Sequence, residues 1–499
     1  MIDNNKYVVG VDGGTEGIRV GIFTLDGTPV IFAAEKYETR FPQPGRAEQN
    51  PDDWWRSLGV AMKRALSESG VSKDEILGLA ADTTCCSVVA LDAEMRPLRD
   101  AIIWMDVRAD AEADAVLATG DAALEVNNGG KGPVSAEWML SKSLWINRNQ
   151  PEIWERAAVI CEYQDYLNYQ MTGELVASIN NASIRWHYRA EKGGFPVDLL
   201  AALSIPELAE KWPSDVLSLG EAIGGLTPAA AAHLGLKPGT SVAQGGADAF
   251  IAMLGLGVVK TGQLAFITGS SHLHLGNTDS AVHGDGIWGT YNSALRPGQH
   301  VIEGGQTSTG SIIAWFHRMI GEPEMAILNE EAAAIPPGAD GLVVLDHFQG
   351  NRTPFTDAAS RGCLNGLSLS HTRGHIFRAL MEGIGYGTEL ILDNFRIGGF
   401  TPSEMVICGG ATNSELWMQI HSDISNLPII KTRVADAPAL GSAMLAGICG
   451  GAFSSFEQAA DAMVQVERRI EPDPHRHATY RDLIADYKAL YPALRGIRR

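Results

Sequence analysis

The chain has 499 residues, of which 45% are hydrophobic and 20% charged, and carries a formal net charge of -20. That composition excludes a disordered or fibrous protein and leaves room for two or three domains with full hydrophobic cores. The acidic balance argues against nucleic-acid or anionic-membrane partners, although backbone amides and Mg2+ can still hold phosphates locally.

In chain order, residues 7–11 form an apolar, β-branched run that predicts a buried strand. It breaks at Gly13-Gly14, resumes over 19–25, and passes through the hairpin dipeptide Asp26-Gly27 into a third strand at 30–33. The first turn therefore carries the carboxylate of Asp12, the hydroxyl of Thr15 and two unhindered glycines. A concavity of backbone amides suits phosphate, and a carboxylate beside it suits Mg2+; an ordinary Gly-rich hairpin is the alternative. Further strands are expected as far as Leu91 and helices over 136–172. The glycines from Gly245 to Gly257 mark a hinge.

A second strand, turn and strand follows at 264–276, broken by Thr268-Gly269-Ser270-Ser271. A third turn closes the strand 405–408 with Gly409-Gly410-Ala411; Ser414 then caps a helix with Trp417, Ile420 and Ile424 on one face. A strand, Gly-Gly turn and helix N-terminus favour an anionic ligand. Tyr480, Leu483, Ile484, Tyr487 and Leu490 have helical spacing and predict a closing helix. Strands alternate with helices, which favours an α/β architecture. The expected division is 1–253, 254–470 and a helical tail 471–499.

The six cysteines show no CxxC spacing, which speaks against zinc and structural disulfides, and Cys85-Cys86 reads as a pair of buried strand cysteines. His187, His272 and His274 read as structural, because metal coordination needs further ligands at suitable spacing. No long apolar run and no signal peptide is visible, so a cytoplasmic location is expected.

Two Gly/hydroxyl loops approaching one nucleotide from two domains is the arrangement of the two-domain actin/Hsp70/sugar-kinase (ribonuclease H-like) fold, with its cleft between the domains. Within it the chain resembles the FGGY family of carbohydrate kinases from Tyr7 to about Val466. Asp12, Gly14, Thr15 and Arg19 match the family's Asp-x-Gly-Thr-x-x-x-Arg loop, and Gly269-Ser270-Ser271 its Gly-Thr-Ser loop with serine for threonine. Cys408-Gly409-Gly410-Ala411 matches its adenosine motif with cysteine in the first position. The C-terminal signature runs from Gly362-x-Leu364-x-Gly366-Leu367 to His375-Ile376-x-x-Ala379-Leu380-Met381-Glu382.

The resemblance implies transfer of the ATP γ-phosphoryl group to a hydroxyl of a small polyol or ketose. It places Asp248, in Gly245-Gly246-Ala247-Asp248, as the hinge base; without the resemblance Asp248 reads as a helix cap. Asp12 is assigned to Mg2+, with Asp248 as a second candidate ligand. Thr15, Ser270 and Ser271 are expected at the β- and γ-phosphates, and Gly409, Gly410 and Asn413 beside the adenosine. Gly310 either approaches the nucleotide or is a simple loop glycine.

The segment Asp82-Thr83-Thr84-Cys85-Cys86-Ser87, followed by Trp104-Met105-Asp106-Val107-Arg108, resembles the ribulokinase branch, in particular D-ribulokinase-like members. Thr84, Cys85, Trp104, Asp106, Arg108, Glu137 and Asp248 are therefore the candidate sugar contacts, with Glu137 placed on a helix. For Asp106 and Arg108 the alternative is a structural ion pair. D-Ribulose is the expected acceptor; xylulose, L-ribulose, ribitol or erythritol are alternatives, and an actin-like ATPase without acceptor is the reading from another class. The expected partners are a small sugar and a second copy of the chain in a homodimer.

Overall fold

The computed structural model describes residues 6–497. Two large mixed sheets, each backed by helices, face one another across a cleft. In the first, β1 (Tyr7–Gly13), β2 (Gly17–Thr24) and β3 (Pro29–Lys36) form an antiparallel meander. The strand Ile76–Thr83 then runs parallel to β1 on its other side, and Ser241–Ala243 runs parallel beyond it. The second sheet repeats this pattern: Gln263–Thr268, His272–Thr278 and His300–Gln306 are antiparallel, while Glu404–Gly409 and Ile429–Thr432 add in parallel. This repetition is the two-domain α/β architecture that the sequence predicts.

β1 is buried on both faces because α1 (Pro51–Ser69) and the helix Ala437–Cys449 cover opposite sides of its sheet. The helix approaches closely enough that a Cβ on Gly10 would overlap the Ala439 carbonyl oxygen. It also packs on the helix Asp248–Gly255, where Gly255 and Gly441 permit backbone contact in both directions. These two helices cross between the sheets and carry two of the carboxylates of the cleft, Asp248 and the cap residue Asp436.

The region 136–172 is less uniformly helical than expected. Helices Met139–Asn149, Pro151–Arg156 and Tyr163–Thr172 are interrupted by the strand Val159–Glu162, which joins a four-stranded sheet. Glu137 lies in the turn before the first of them, not on a helix. Cys85 and Cys86 occupy the turn between Ile76–Thr83 and Val88–Leu91, not a strand. The apolar run is real, but its alternation breaks where Cys86 turns to φ 63.

The tail forms the helix Pro474–Leu494, with Tyr480 and Tyr487 buried in the second core. Tyr480 donates to Glu382 at 2.9 Å and accepts from Arg378 at 2.9 Å, tying the tail to the helix Arg373–Ile397. Among the described residues no helix is long and apolar enough to cross a membrane.

Candidate active site

Strand register brings the floor of the cleft together. Asp12, at the end of β1, pairs across β2 with Arg19 and across the parallel strand with Asp82. Asp436 caps the helix Ala437–Cys449 and bonds Arg19, whose guanidinium lies 3.8 Å from Asp12. Asp82 accepts from Ser442 Oγ of the same helix at 2.7 Å, while its other oxygen is buried without a protein partner. Asp248 opens its helix at the first turn rather than at the cap position, which Ala247 occupies, and accepts from the Ala249 amide at 2.6 Å.

These carboxylates repel in a largely buried setting. Burial, then Asp436 and Asp248, push Asp12 up to about 7 against the opposing pull of Arg19. Burial and then Asp12 push Asp82 well above the carboxylate range, and burial raises Asp248 to about 6. A divalent cation would relieve this excess of negative charge, so the donor set suits Mg2+. The described residues contain no cluster of three or more His, Cys, Asp or Glu side chains able to hold a metal ion. Such an ion would therefore take Asp12 as its protein anchor and complete its shell with water and phosphate oxygens, as Mg2+ commonly does.

The three glycine turns border this floor. In the first, Tyr37 donates to the Gly14 carbonyl, Gln49 Nε2 to the Thr15 carbonyl at 2.7 Å, and Trp104 Nε1 to Thr15 Oγ1 at 2.9 Å. The second turn sits on the N-terminus of the helix Gly310–Met319: the amides of Thr309 and Ser311 donate to the Ser270 carbonyl, and that of Gly310 to Gly269. A side chain at Gly310 would overlap the Gly269 carbonyl oxygen, so this glycine seats the loop that presents Ser270 and Ser271. The third turn is fastened to the second by Thr268 Oγ1, which donates to the Cys408 carbonyl at 2.6 Å and accepts from the Ala411 amide at 3.1 Å. Gly409, Gly410 and Asn413 face solvent there, and Ser414 caps the next helix through the Trp417 amide.

Beside Asp248 opens a cavity of about 320 Å3, lined by Thr15, Thr84, Cys85, Trp104, Glu137 and Ser271 among the expected residues. Arg185, Glu303 and Arg352 line it as well and were missed. Arg185 donates to Glu303 Oε2 at 3.0 Å and to Tyr291 at 2.7 Å, and Arg352 donates to Glu303 Oε1 at 2.8 Å. Burial raises the Glu303 carboxyl, but the two guanidinium groups outweigh it and hold it below its ordinary value. The available signal was a lone charge in uncharged company: Arg185 between Ile184 and Trp186, and Glu303 between Ile302 and Gly304.

Asp106 and Arg108 are a correction. Neither lines the cavity: Asp106 accepts from Arg108 Nε at 2.8 Å and from the Ala47 amide at 2.6 Å, and Arg108 also pairs with Glu48 at 2.8 Å. Arg108 further stacks 4.9 Å from the Trp145 ring centre. Both charges are spent on bracing the loop that presents Trp104. The histidines also sit in packed surroundings: His272, His274 and His421 surround Phe266, and His187 lies against Trp138.

Paired sheets with hydroxyl-bearing glycine loops around an acidic cleft define the two-domain fold that sugar kinases share with actin and Hsp70. The chain belongs to the FGGY family of carbohydrate kinases: the model of the family's N-terminal domain matches residues 7–255 and that of its C-terminal domain residues 264–449. It is 30% identical to a ribulokinase of Shouchella clausii over 97% of this chain and 95% of that one. It is 29% identical to a xylulose kinase of Bacillus subtilis over 97% of each. The structure of a xylulose kinase from Rhodospirillum rubrum superposes with a TM-score of 0.89 at 29% identity, covering 98% of this chain and 99% of that one.

Proposed function

We infer that the protein phosphorylates a terminal hydroxyl of a ketopentose with ATP, and that D-ribulose, giving D-ribulose 5-phosphate, is its acceptor. The observation that carries this reading is Asp248, a carboxylate held near 6 by burial on the wall of the 320 Å3 cavity and close enough to Asp12 to raise its pKa. At neutral pH it is mostly ionised and accepts the hydroxyl proton as the bond to phosphorus develops.

Thr15, Ser270 and Ser271 hold the β- and γ-phosphates in line, while Gly409, Gly410 and Asn413 border the adenosine. Asp12, with Asp248 as the second candidate ligand, would hold Mg2+, which would supply charge neutralisation on the phosphates. Trp104, Thr84, Cys85, Glu137 and the Arg185, Glu303 and Arg352 group surround the acceptor. A rigid, fully paired polar wall of that kind selects for vicinal hydroxyls and rejects analogues lacking them.

Ribulokinases and xylulose kinases among the relatives support a pentose. The Thr/Cys turn at 84–86 and the Trp104 loop favour ribulose over the runner-up, xylulose. The test is ADP release with Mg-ATP across ketopentoses, polyols and glycerol, in the wild type and in Asp248→Asn. Selective turnover of D-ribulose, lost in the variant, is the expected result. Turnover of another sugar replaces the acceptor but keeps the mechanism, and equal ATP hydrolysis with and without any acceptor overturns the kinase reading.

A further inference from the structure

The turn 84–87 forms one wall of the acceptor cavity and contains two chain-neighbour cysteines whose sulfurs lie 3.8 Å apart. Successive side chains in an extended strand point to opposite faces, so this approach exists only because the backbone turns. Cys86 adopts φ 63, in the left-handed region, and is clamped there. Its amide donates to Glu162 Oε2 at 2.9 Å, and its carbonyl accepts from the buried Lys142 Nζ at 2.7 Å. Glu162 is itself held by Trp186 Nε1 at 2.7 Å and Asn181 Nδ2 at 3.1 Å. The two sulfurs are thus preset by buried polar groups on three separate segments. Both cysteines line the cavity; Cys85 is half-buried and Cys86 is 2% exposed.

We propose that Cys85 and Cys86 are a reversible oxidation site, in which a hydroperoxide converts the two thiols to a vicinal disulfide and thereby closes the acceptor cavity. Cys85, the accessible member, attacks the terminal peroxide oxygen; an S–O bond forms, the O–O bond breaks and an alcohol leaves, or water when the oxidant is hydrogen peroxide. The Cys86 sulfur then displaces water from the sulfenic acid, forming the S–S bond. Two electrons pass from sulfur to the peroxide, and the two thiol protons end in the alcohol and the water. Burial pushes the Cys86 thiol well above its ordinary value, and the Arg185 guanidinium opposes that rise.

Bonding draws the sulfurs from 3.8 Å to about 2.0 Å and closes an eight-membered ring on a turn that is already tight. Strained disulfides of this kind have higher reduction potentials and are the readily reversed ones, as a switch requires. The movement does not stay local. The Thr84 amide donates to the Gly13 carbonyl at 3.0 Å, and Thr84 Oγ1 lies 3.3 Å from Ser87 Oγ, so the turn pulls on both the first phosphate loop and the cavity wall.

The effect on turnover rests on the acceptor-kinase reading; formation of the bond does not. The full chain is treated with one equivalent of hydrogen peroxide, alkylated under denaturing conditions and mapped by mass. The expected result is an unalkylated Cys85-Cys86 peptide about 2 Da lighter than its dithiol, at least a tenfold rise in the sugar KM, and recovery of both with dithiothreitol. Cys86→Ser, compared with its own untreated rate, is expected to lose this reversible response. A peptide that alkylates twice, or that carries only irreversible higher oxides, overturns the site; a disulfide that forms without moving the sugar KM overturns the closure. Should no acceptor support turnover before oxidation, the kinase reading fails while the peptide mass, which needs no variant, still decides the disulfide.

Discussion

Arg185 donates to Glu303 Oε2 at 3.0 Å, joining a helix of the first half of the chain to a strand of the second across the cleft floor. Tyr291 donates to the same carboxylate oxygen at 3.0 Å, and Arg352 occupies the other. The cavity wall is therefore a saturated ionic network whose members have little freedom to reorient.

Removing the charge of Glu303 tests that wall. Breaking one partner out of a buried ion pair costs about 3–5 kcal/mol, because it strands the other charge. Glu303→Gln is expected to lower the melting temperature and raise the sugar KM at least about tenfold, with the ATP KM little changed. An unchanged sugar KM would show that the network is structural only.

Asp248→Asn removes the proton acceptor but keeps an oxygen for the Ala249 amide, which now lies 2.6 Å from the carboxylate. The turnover number is expected to fall by about 100- to 10,000-fold, the range for a lost general base. The variant folds at least as well as the wild type at about pH 8, since burial disfavours the ionised carboxylate. Steady-state kinetics and thermal melts on one preparation separate a lost base from a lost fold.

The pH dependence follows from the same carboxylate. Its folded pKa of about 6 lies above its ordinary 3.8. The acceptor-dependent kcat/KM is expected to rise as pH rises through 6 and to level off near neutrality. Between those pKa values the folded state binds the extra proton, so this group's contribution to stability falls as pH increases. Buried histidines such as His274, pushed down to about 3 by burial, act in the opposite direction on the total. The readout is therefore the difference: the stability gained in Asp248→Asn over wild type should be larger at about pH 8 than at about pH 5. A difference independent of pH would sink the assignment of a raised pKa.

Gly409→Ala probes the nucleotide side. Gly409 sits at φ 89, and a Cβ there would overlap the Thr268 carbonyl oxygen. A loss of more than about 1 kcal/mol is expected, because both the backbone region and the space exclude a side chain. The ATP KM should rise while the sugar KM holds, and isothermal titration with ADP would report the same change directly.

Local chemistry was readable along the chain. The three glycine turns, the cap at Ser414 and the apolar stripe of the tail each depend on residues a few positions apart. The position of Glu137 failed at that same range, because Trp138 and the residues before it leave the helix to begin at Met139. For Asp106 and Arg108 the sequence left a sugar contact and a structural ion pair both open, and only the fold brings Glu48 and the Ala47 amide to the pair.

The amino-acid order was enough to establish a two-domain α/β chain and to mark Asp12 and Asp248 as candidates, because turn and strand signals are local. Folding alone settled which charges share a site. Arg19 meets Asp436 across 417 positions, Ser442 meets Asp82 across 360, and Arg185 meets Glu303 across 118. Charge compensation and desolvation depend on distances through space, and no pattern along the chain encodes those before the sheets and the crossing helices have packed.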